Sequence, residues 1–382
     1  MADTADGIDR MKFPRLTRRF AWPRRLAASL AACACAAAPA ISVLAGQPES
    51  ATSPMSGAAP TSAASSPSNA SGGMSAAPST TPAAAAPATP ASAASAASAA
   101  SAVPASEAAP VTPRMHPLLS PADAASATTR AVDMRKRFAQ EVTRRLNVPV
   151  SVQRAYGLRL QQALAADDLA DLAGEYVVLV DRAPTVQALF IYFRATPANA
   201  WFMIGASPVA TGLPGKYDHF LTPLGVFTHT PDNMDFRAEG TTNGNGIRGY
   251  GRRDMRIYDF GWEDGERGWG KGGESPMRFQ LHATDPDRLE PLLGIRHSKG
   301  CVRIPASLNV FIDRHGILDA IYEARIETGK SYWVLNPRRD VTPIEGRYLV
   351  VIDSARKTRP AWSPLPGRNA WAKVPKGGDT AD

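Results

Sequence analysis

Two spacings of apolar side chains organise the last two thirds of the chain. Ser120 followed by Pro121 marks a helix start, and Met134, Phe138, Val142 and Leu146 then recur every four residues as one apolar stripe. Pro149 is expected to end that helix, and Ser151 to cap a second one whose stripe is Tyr156, Leu160 and Leu164. Two short amphipathic helices cannot bury their stripes alone, so they are expected to pack on the following domain or on each other. After Gly174 the period falls to two and the apolar residues become β-branched and aromatic, in EYVVLVD, QALFIYFR, WFMIGAS, MRIYDF, MRFQLH and YLVVID. These segments predict strands of a mainly antiparallel β domain. Thr222 to Gly225 has the Pro and Gly placement of a type I turn. Ser307 to Glu323 reads as helix broken around Gly316, and the last 25 or so residues, rich in Pro, Gly, Lys and Arg, as a poorly ordered tail.

The first third has neither spacing. Arg10, Lys12, Arg15, Arg18, Arg19, Arg24 and Arg25 precede an apolar, Ala-rich stretch from about Leu26 to Ala45, the pattern of an export signal. Cleavage after Val43, Leu44 and Ala45, lipidation at Cys33 behind Leu30, Ala31 and Ala32, and retention as an uncleaved anchor are all open, and Arg18 and Arg19 before Phe20 resemble a twin-arginine signal. Residues 47 to about 113 are almost wholly Ala, Ser, Pro, Thr and Gly, a linker that spans roughly 45 Å as a random coil. It reads equally as a membrane-to-wall tether or as low-complexity filler.

Charge and cysteine content narrow the picture. The formal charge is +8, but seven of the 43 basic residues fall in the first 45 positions, leaving 36 basic against 32 acidic side chains. Without a dense basic face, this argues against nucleic acid as a partner and is compatible with an anionic polymer. The cysteines are Cys33, Cys35 and Cys301, so a cleaved, exported chain keeps one thiol and no internal disulfide.

The surroundings of Cys301 point to chemistry. His282 is followed by fifteen residues and then Ser298, Lys299, Gly300, Cys301, Val302 and Arg303. A cysteine becomes a useful nucleophile when an imidazole takes its proton and nearby cations stabilise the thiolate. Gly300 permits close backbone approach, amide N–H groups near Cys301 suit an oxyanion, and Arg303 suits a two-pronged contact with a carboxylate. His297 is a second candidate base, with His282 favoured by its place at the end of MRFQLH.

This segment resembles the catalytic motif of L,D-transpeptidases of the YkuD type, in which a histidine precedes Ser-His-Gly-Cys or Ser-Lys-Gly-Cys, an apolar residue and often Arg. Thr211 with Gly212, and Thr222, Pro223, Gly225 and Phe227, resemble that family's earlier signature, so the likeness covers roughly residues 175 to 355. The resemblance implies a mainly β, sandwich-like catalytic domain over residues 173–356, after a signal or anchor (1–45), a disordered linker (46–113) and a helical segment (114–172), and before a C-terminal tail (357–382). It implies that Cys301 attacks the meso-diaminopimelate–D-alanine bond of a peptidoglycan stem, that His282 acts as base and then acid, and that an amine resolves the thioester. Arg303, Ser298, Gly300, Lys299 and His297 are then the expected substrate contacts, with no cofactor or metal, in the periplasm or cell envelope. Carbapenems are expected to acylate Cys301. Lys299 stands where many members have His, and Ala283 where Gly is common.

Other signals are weaker. Residues 244–249 spell GxGxxG, but with no strand before and no helix after them they read as a mobile loop over the site rather than a dinucleotide fingerprint. Trp262 and Trp269 are candidates for flanking the cleft or for simple packing. A metal at Cys301 and His282 lacks further ligands at zinc-site spacing. A cysteine hydrolase on the same scaffold and a non-catalytic wall-binding protein are the competing functions. A sortase-like enzyme has its His and Cys much further apart, and a papain-like one has them in the opposite order. Oligomeric state is not readable.

Overall fold

The first helix among the described residues, α1 (Pro121–Glu141), starts where its sequence says: the Ser120 hydroxyl accepts the Asp123 N–H at 3.2 Å. It stops earlier than its stripe suggests. After Glu141 the chain runs extended, because Leu146 N–H donates to Ala206 O at 2.9 Å and Thr143 N–H to the Ser307 hydroxyl at 3.1 Å. Sheet-edge pairing thus takes over residues that local spacing assigned to helix. Pro149, not Ser151, is the N-cap of α2 (Val150–Ala166). The computed structural model describes residues 118–381, all within one unit. The export signal, Cys33, Cys35 and the linker lie outside the described residues, among which no helix is long and apolar enough to cross a membrane.

The architecture is mainly β, with mixed sheets and few short helices. The strands are β1 (Tyr176–Asp181), β2 (Ala188–Phe193), β3 (Phe202–Pro208), β4 (Phe220–Leu221), β5 (Gly225–Thr228), β6 (Phe236–Arg237), β7 (Arg256–Arg267), β8 (Glu274–Ala283), β9 (Val302–Ile304) and β10 (Tyr348–Ile352). One five-stranded sheet has the order β3-β2-β1-β10-β5; the other runs β4-β7-β8-β9, with β6 also on β7. All ladders are antiparallel except β1 with β10 and β8 with β9.

β1 and β2 are buried at every position, which is why their sequences are nearly unbroken apolar runs. Val178, Val180, Leu189 and Ile191 share a core with Phe279, Leu281, Val302 and Ile304 of the second sheet. Val177, Leu179 and Phe190 form another core with Tyr156, Leu160 and Leu164 of α2. Helix α1 adds Met134 and Phe138 to the first core, where Phe138 meets Phe311 edge-on at 5.3 Å. The two N-terminal helices therefore pack on the β domain and are part of it. After Cys301 come α3 (Ala306–His315) and α4 (Ala320–Glu327), with left-handed Gly316 closing the first.

The C-terminal tail corrects its sequence reading, because it is folded onto the domain. Trp362 is buried in the second core, and the Ser363 hydroxyl donates to Val186 O at 2.5 Å. Residues 368–371 form a 3-10 turn, and Asp379 ion-pairs with His219. Its few aromatic and acidic side chains, scattered among Pro and Gly, find partners that composition does not reveal.

Candidate active site

The parallel pairing of β8 with β9 builds the site. Its register sets Leu281 beside Val302, His282 beside Arg303 and Ala283 beside Ile304, and puts Cys301 immediately ahead of β9. Paired residues on adjacent strands project to the same face, so imidazole and guanidinium are neighbours. Both line a cleft of about 710 Å³ together with Cys301, Ser298 and Lys299.

The loop from His297 to Cys301 is held on all sides. His297 and Ser298 N–H both donate to Thr211 O, at 3.0 and 3.1 Å, and Phe220 N–H donates to Lys299 O at 3.0 Å. The Thr222 hydroxyl donates to Gly300 O at 2.6 Å and accepts the Gly212 N–H at 2.9 Å. Gly212 has no room for a side chain, since a Cβ there would lie 1.9 Å from Phe220 O. The upstream Thr-Gly and Thr-Pro segments thus brace the loop that carries Cys301. Residues 222–224 run from β4 to β5 without the regular type I turn expected of them.

Within the loop, the Ser298 hydroxyl donates to Cys301 O at 2.6 Å and accepts the Gly300 N–H at 3.2 Å. That amide is therefore engaged in the resting site. Gly300 has φ +141°, and a Cβ on it would meet Met277 at 2.7 Å. It packs against the protein and does not line the cleft. Lys299 is half-buried on the cleft wall.

Cys301 and His282 rest uncharged. The Cys301 thiol donates to Arg278 O at 3.6 Å, while His282 Nδ1–H donates to Ala283 O at 2.6 Å and leaves Nε2 as the basic nitrogen. Burial, then the Arg303 guanidinium, push the imidazole down to about 3, against the Ala283 carbonyl. Burial pushes the thiol up to about 11, opposed by the Gln280 backbone N–H and Arg303. A neutral thiol and a neutral imidazole, each hydrogen-bonded to a backbone carbonyl, are the resting state.

His297 and His282 separate cleanly. His282 lines the cleft, whereas His297 is buried behind it, edge-on to Trp371 at 5.8 Å, with Nε2 3.2 Å from the Thr380 hydroxyl. Burial and then Arg303 push His297 down to about 4, against the Asp379 carboxylate. Arg303 is itself buried. Its Nη1 donates to His297 O at 2.9 Å and its Nη2 to Ala381 O at 2.5 Å.

Several contributors escaped the sequence reading. Tyr250 meets the His282 ring edge-on at 4.7 Å, and its hydroxyl donates to Gln280 Oε1 at 3.1 Å. Asp259 takes the Gln280 amide at 2.9 Å and the Arg278 guanidinium at 2.9 Å, fixing two cleft-lining residues. The only signal for Asp259, Arg278 and Gln280 was their position in strand segments MRIYDF and MRFQLH, and Tyr250 lies in neither. The glycine-rich loop does wall the cleft, through Asn243, Ile247 and Gly249, and it is anchored: Ile247 is fully buried, and Arg248 N–H donates to Asp285 at 3.0 Å. Trp262 is exposed under Arg278, and Trp269 packs edge-on to Phe220 at 4.8 Å; neither lines the cleft. Among the described residues no three His, Cys, Asp or Glu side chains converge to hold a metal ion. Comparison with protein-family models and with curated proteins gave no match for the chain.

Proposed function

We propose that the protein is a peptidoglycan L,D-transpeptidase of the cell envelope, with the two-sheet body as its catalytic sandwich. The observation that carries this reading is the β8–β9 register, which supports Cys301, His282 and Arg303 acting together on one cleft wall. Cys301 Sγ attacks the carbonyl of meso-diaminopimelate as its proton passes to His282 Nε2. The tetrahedral intermediate collapses when His282 returns that proton to the departing D-alanine amine, leaving a thioester. A neighbouring stem's amine then attacks the thioester, giving up a proton through His282 and restoring the thiol.

Arg303 has two parts in this scheme. Its charge adds to burial in keeping His282 neutral between turnovers, and its guanidinium suits a substrate carboxylate. The resting thiol implies that proton removal and attack occur together, so catalysis depends on substrate bringing Sγ within reach of Nε2. Mass spectrometry of the intact chain with tetrapeptide stems tests the reading. Release of D-alanine with a cross-linked dimer, both absent from Cys301→Ala, is the expected result. Release without dimer redirects it to hydrolysis, and no Cys301-dependent change overturns it.

A further inference from the structure

The last described residues sit inside the cleft they were expected to leave free. Ala381 lines the same cavity as Cys301 and His282, and its carbonyl accepts from Arg303 Nη2 at 2.5 Å. Asp379 lies 2.6 Å from His219 Nε2 and 3.5 Å from Lys216 Nζ, while its backbone carbonyl accepts from Asn245 Nδ2 at 2.8 Å. Gly378, at φ +76°, fits so closely that a Cβ would stand 2.1 Å from Asn245 Oδ1.

His219 shows that this seat is built for an anion. The ring is fully buried, and its Nδ1 lies 2.9 Å from Leu213 O, so Nδ1 must carry a proton to make that bond. Burial favours the neutral form of Asp379, but the contacts with His219, the Ala381 N–H and Lys216 together outweigh it and pull the carboxyl down to about 2. A buried imidazole with one ring nitrogen on a backbone carbonyl and the other turned to the seat, with Lys216 beside it, is a receptor for a carboxylate.

We infer that His219, Lys216, Asn245 and Arg303 form a binding site for an acidic peptide, and that residues 378–381 occupy it as a tethered competitor of the substrate. Binding of the tail stands whichever reaction Cys301 performs; inhibition of transfer rests on the transpeptidase reading. Arg303 cannot offer Nη2 to a substrate carboxylate while it holds the Ala381 carbonyl, so the tail must leave first. A cleft that is competent only when the tail is out loses apparent affinity in proportion to the time the tail is in.

The test compares the full chain with Asp379→Ala and Gly378→Val, neither of which touches Cys301 or His282. Cys301 is labelled with a bulky maleimide at fixed pH, and D-alanine release is followed in parallel. Both variants are expected to label about tenfold faster than the parent and to lower KM for tetrapeptide with kcat little changed. A free peptide Gly-Gly-Asp-Thr-Ala should slow labelling of Asp379→Ala, and its Asn counterpart should not. Equal labelling of all three proteins, or identical protection by the Asp and Asn peptides, overturns the proposal. Faster labelling and Asp-dependent protection without D-alanine release in any form leave the tail site standing and remove the transpeptidase reading instead.

Discussion

Two buried histidines in this domain have opposite fates. His229 lies against Asp235 at 2.8 Å, and that carboxylate also takes Arg256 at 2.6 Å; Arg256 goes on to Asp319 at 2.7 Å and Asp313 at 3.3 Å. Burial disfavours the His229 cation, but Asp235 outweighs burial and the pKa rises. His282 is just as enclosed, has an arginine neighbour and no acid, and falls to about 3. The difference teaches that burial lowers an imidazole's pKa in this core unless a carboxylate lies against it. At His282 the Arg303 guanidinium adds to burial instead of opposing it, so the imidazole stays neutral.

The sharpest way to break the contrast is at the reacting pair. His282→Gln should lower D-alanine release on the order of a thousandfold, measured as kcat, while His297→Gln should cost far less. Next comes the compensated cluster: Asp235→Ala leaves His229 buried without its carboxylate, strips Arg256 of one of its three, and should destabilise the domain by about 3–5 kcal/mol in urea unfolding.

Acid sharpens the comparison. The unfolded chain protonates His282 near pH 6.5, but the folded chain holds it neutral to about 3, so its contribution to stability is lost as pH falls through that window. His282→Gln should therefore be more acid-resistant than the parent, by about 2–3 kcal/mol at pH 4. His229 works in the other direction, its contribution being complete below its unfolded pKa and lost as pH rises through the raised folded value. The resting thiol makes a companion prediction: alkylation of Cys301 by iodoacetamide should climb about tenfold per pH unit towards pH 11. A plateau near neutrality would show a preformed thiolate. Ser120→Ala, far from both regions, should cost only about 1 kcal/mol, through loss of the cap on α1.

Much of the site was legible because its elements are local. His282 ends a β-branched and aromatic strand, and Ser298 to Arg303 is a contiguous loop and strand. The helices after Cys301 were marked by Gly316, whose left-handed conformation stops α3. Less legible was the reach of α1, where hydrogen bonds from Leu146 and Thr143 to distant segments overrode a regular stripe. β9, only three residues long, has no period of its own and exists because β8 pairs with it. The tail was misread because composition averages over residues, while Trp362 and Asp379 act singly.

By itself the sequence determined the chemical inventory: one thiol beyond the N-terminal segment, its imidazole and its guanidinium, on strands whose apolar runs demanded burial. Which imidazole faces the cleft, which amide is already engaged, and what sits on Arg303 were decided only by tertiary structure. Those outcomes rest on contacts between residues such as Thr222 and Gly300, or Asp379 and His219, that lie 78 and 160 positions apart. Local propensity is blind at that range, because the free energy of such a contact exists only once the fold has brought its two partners together.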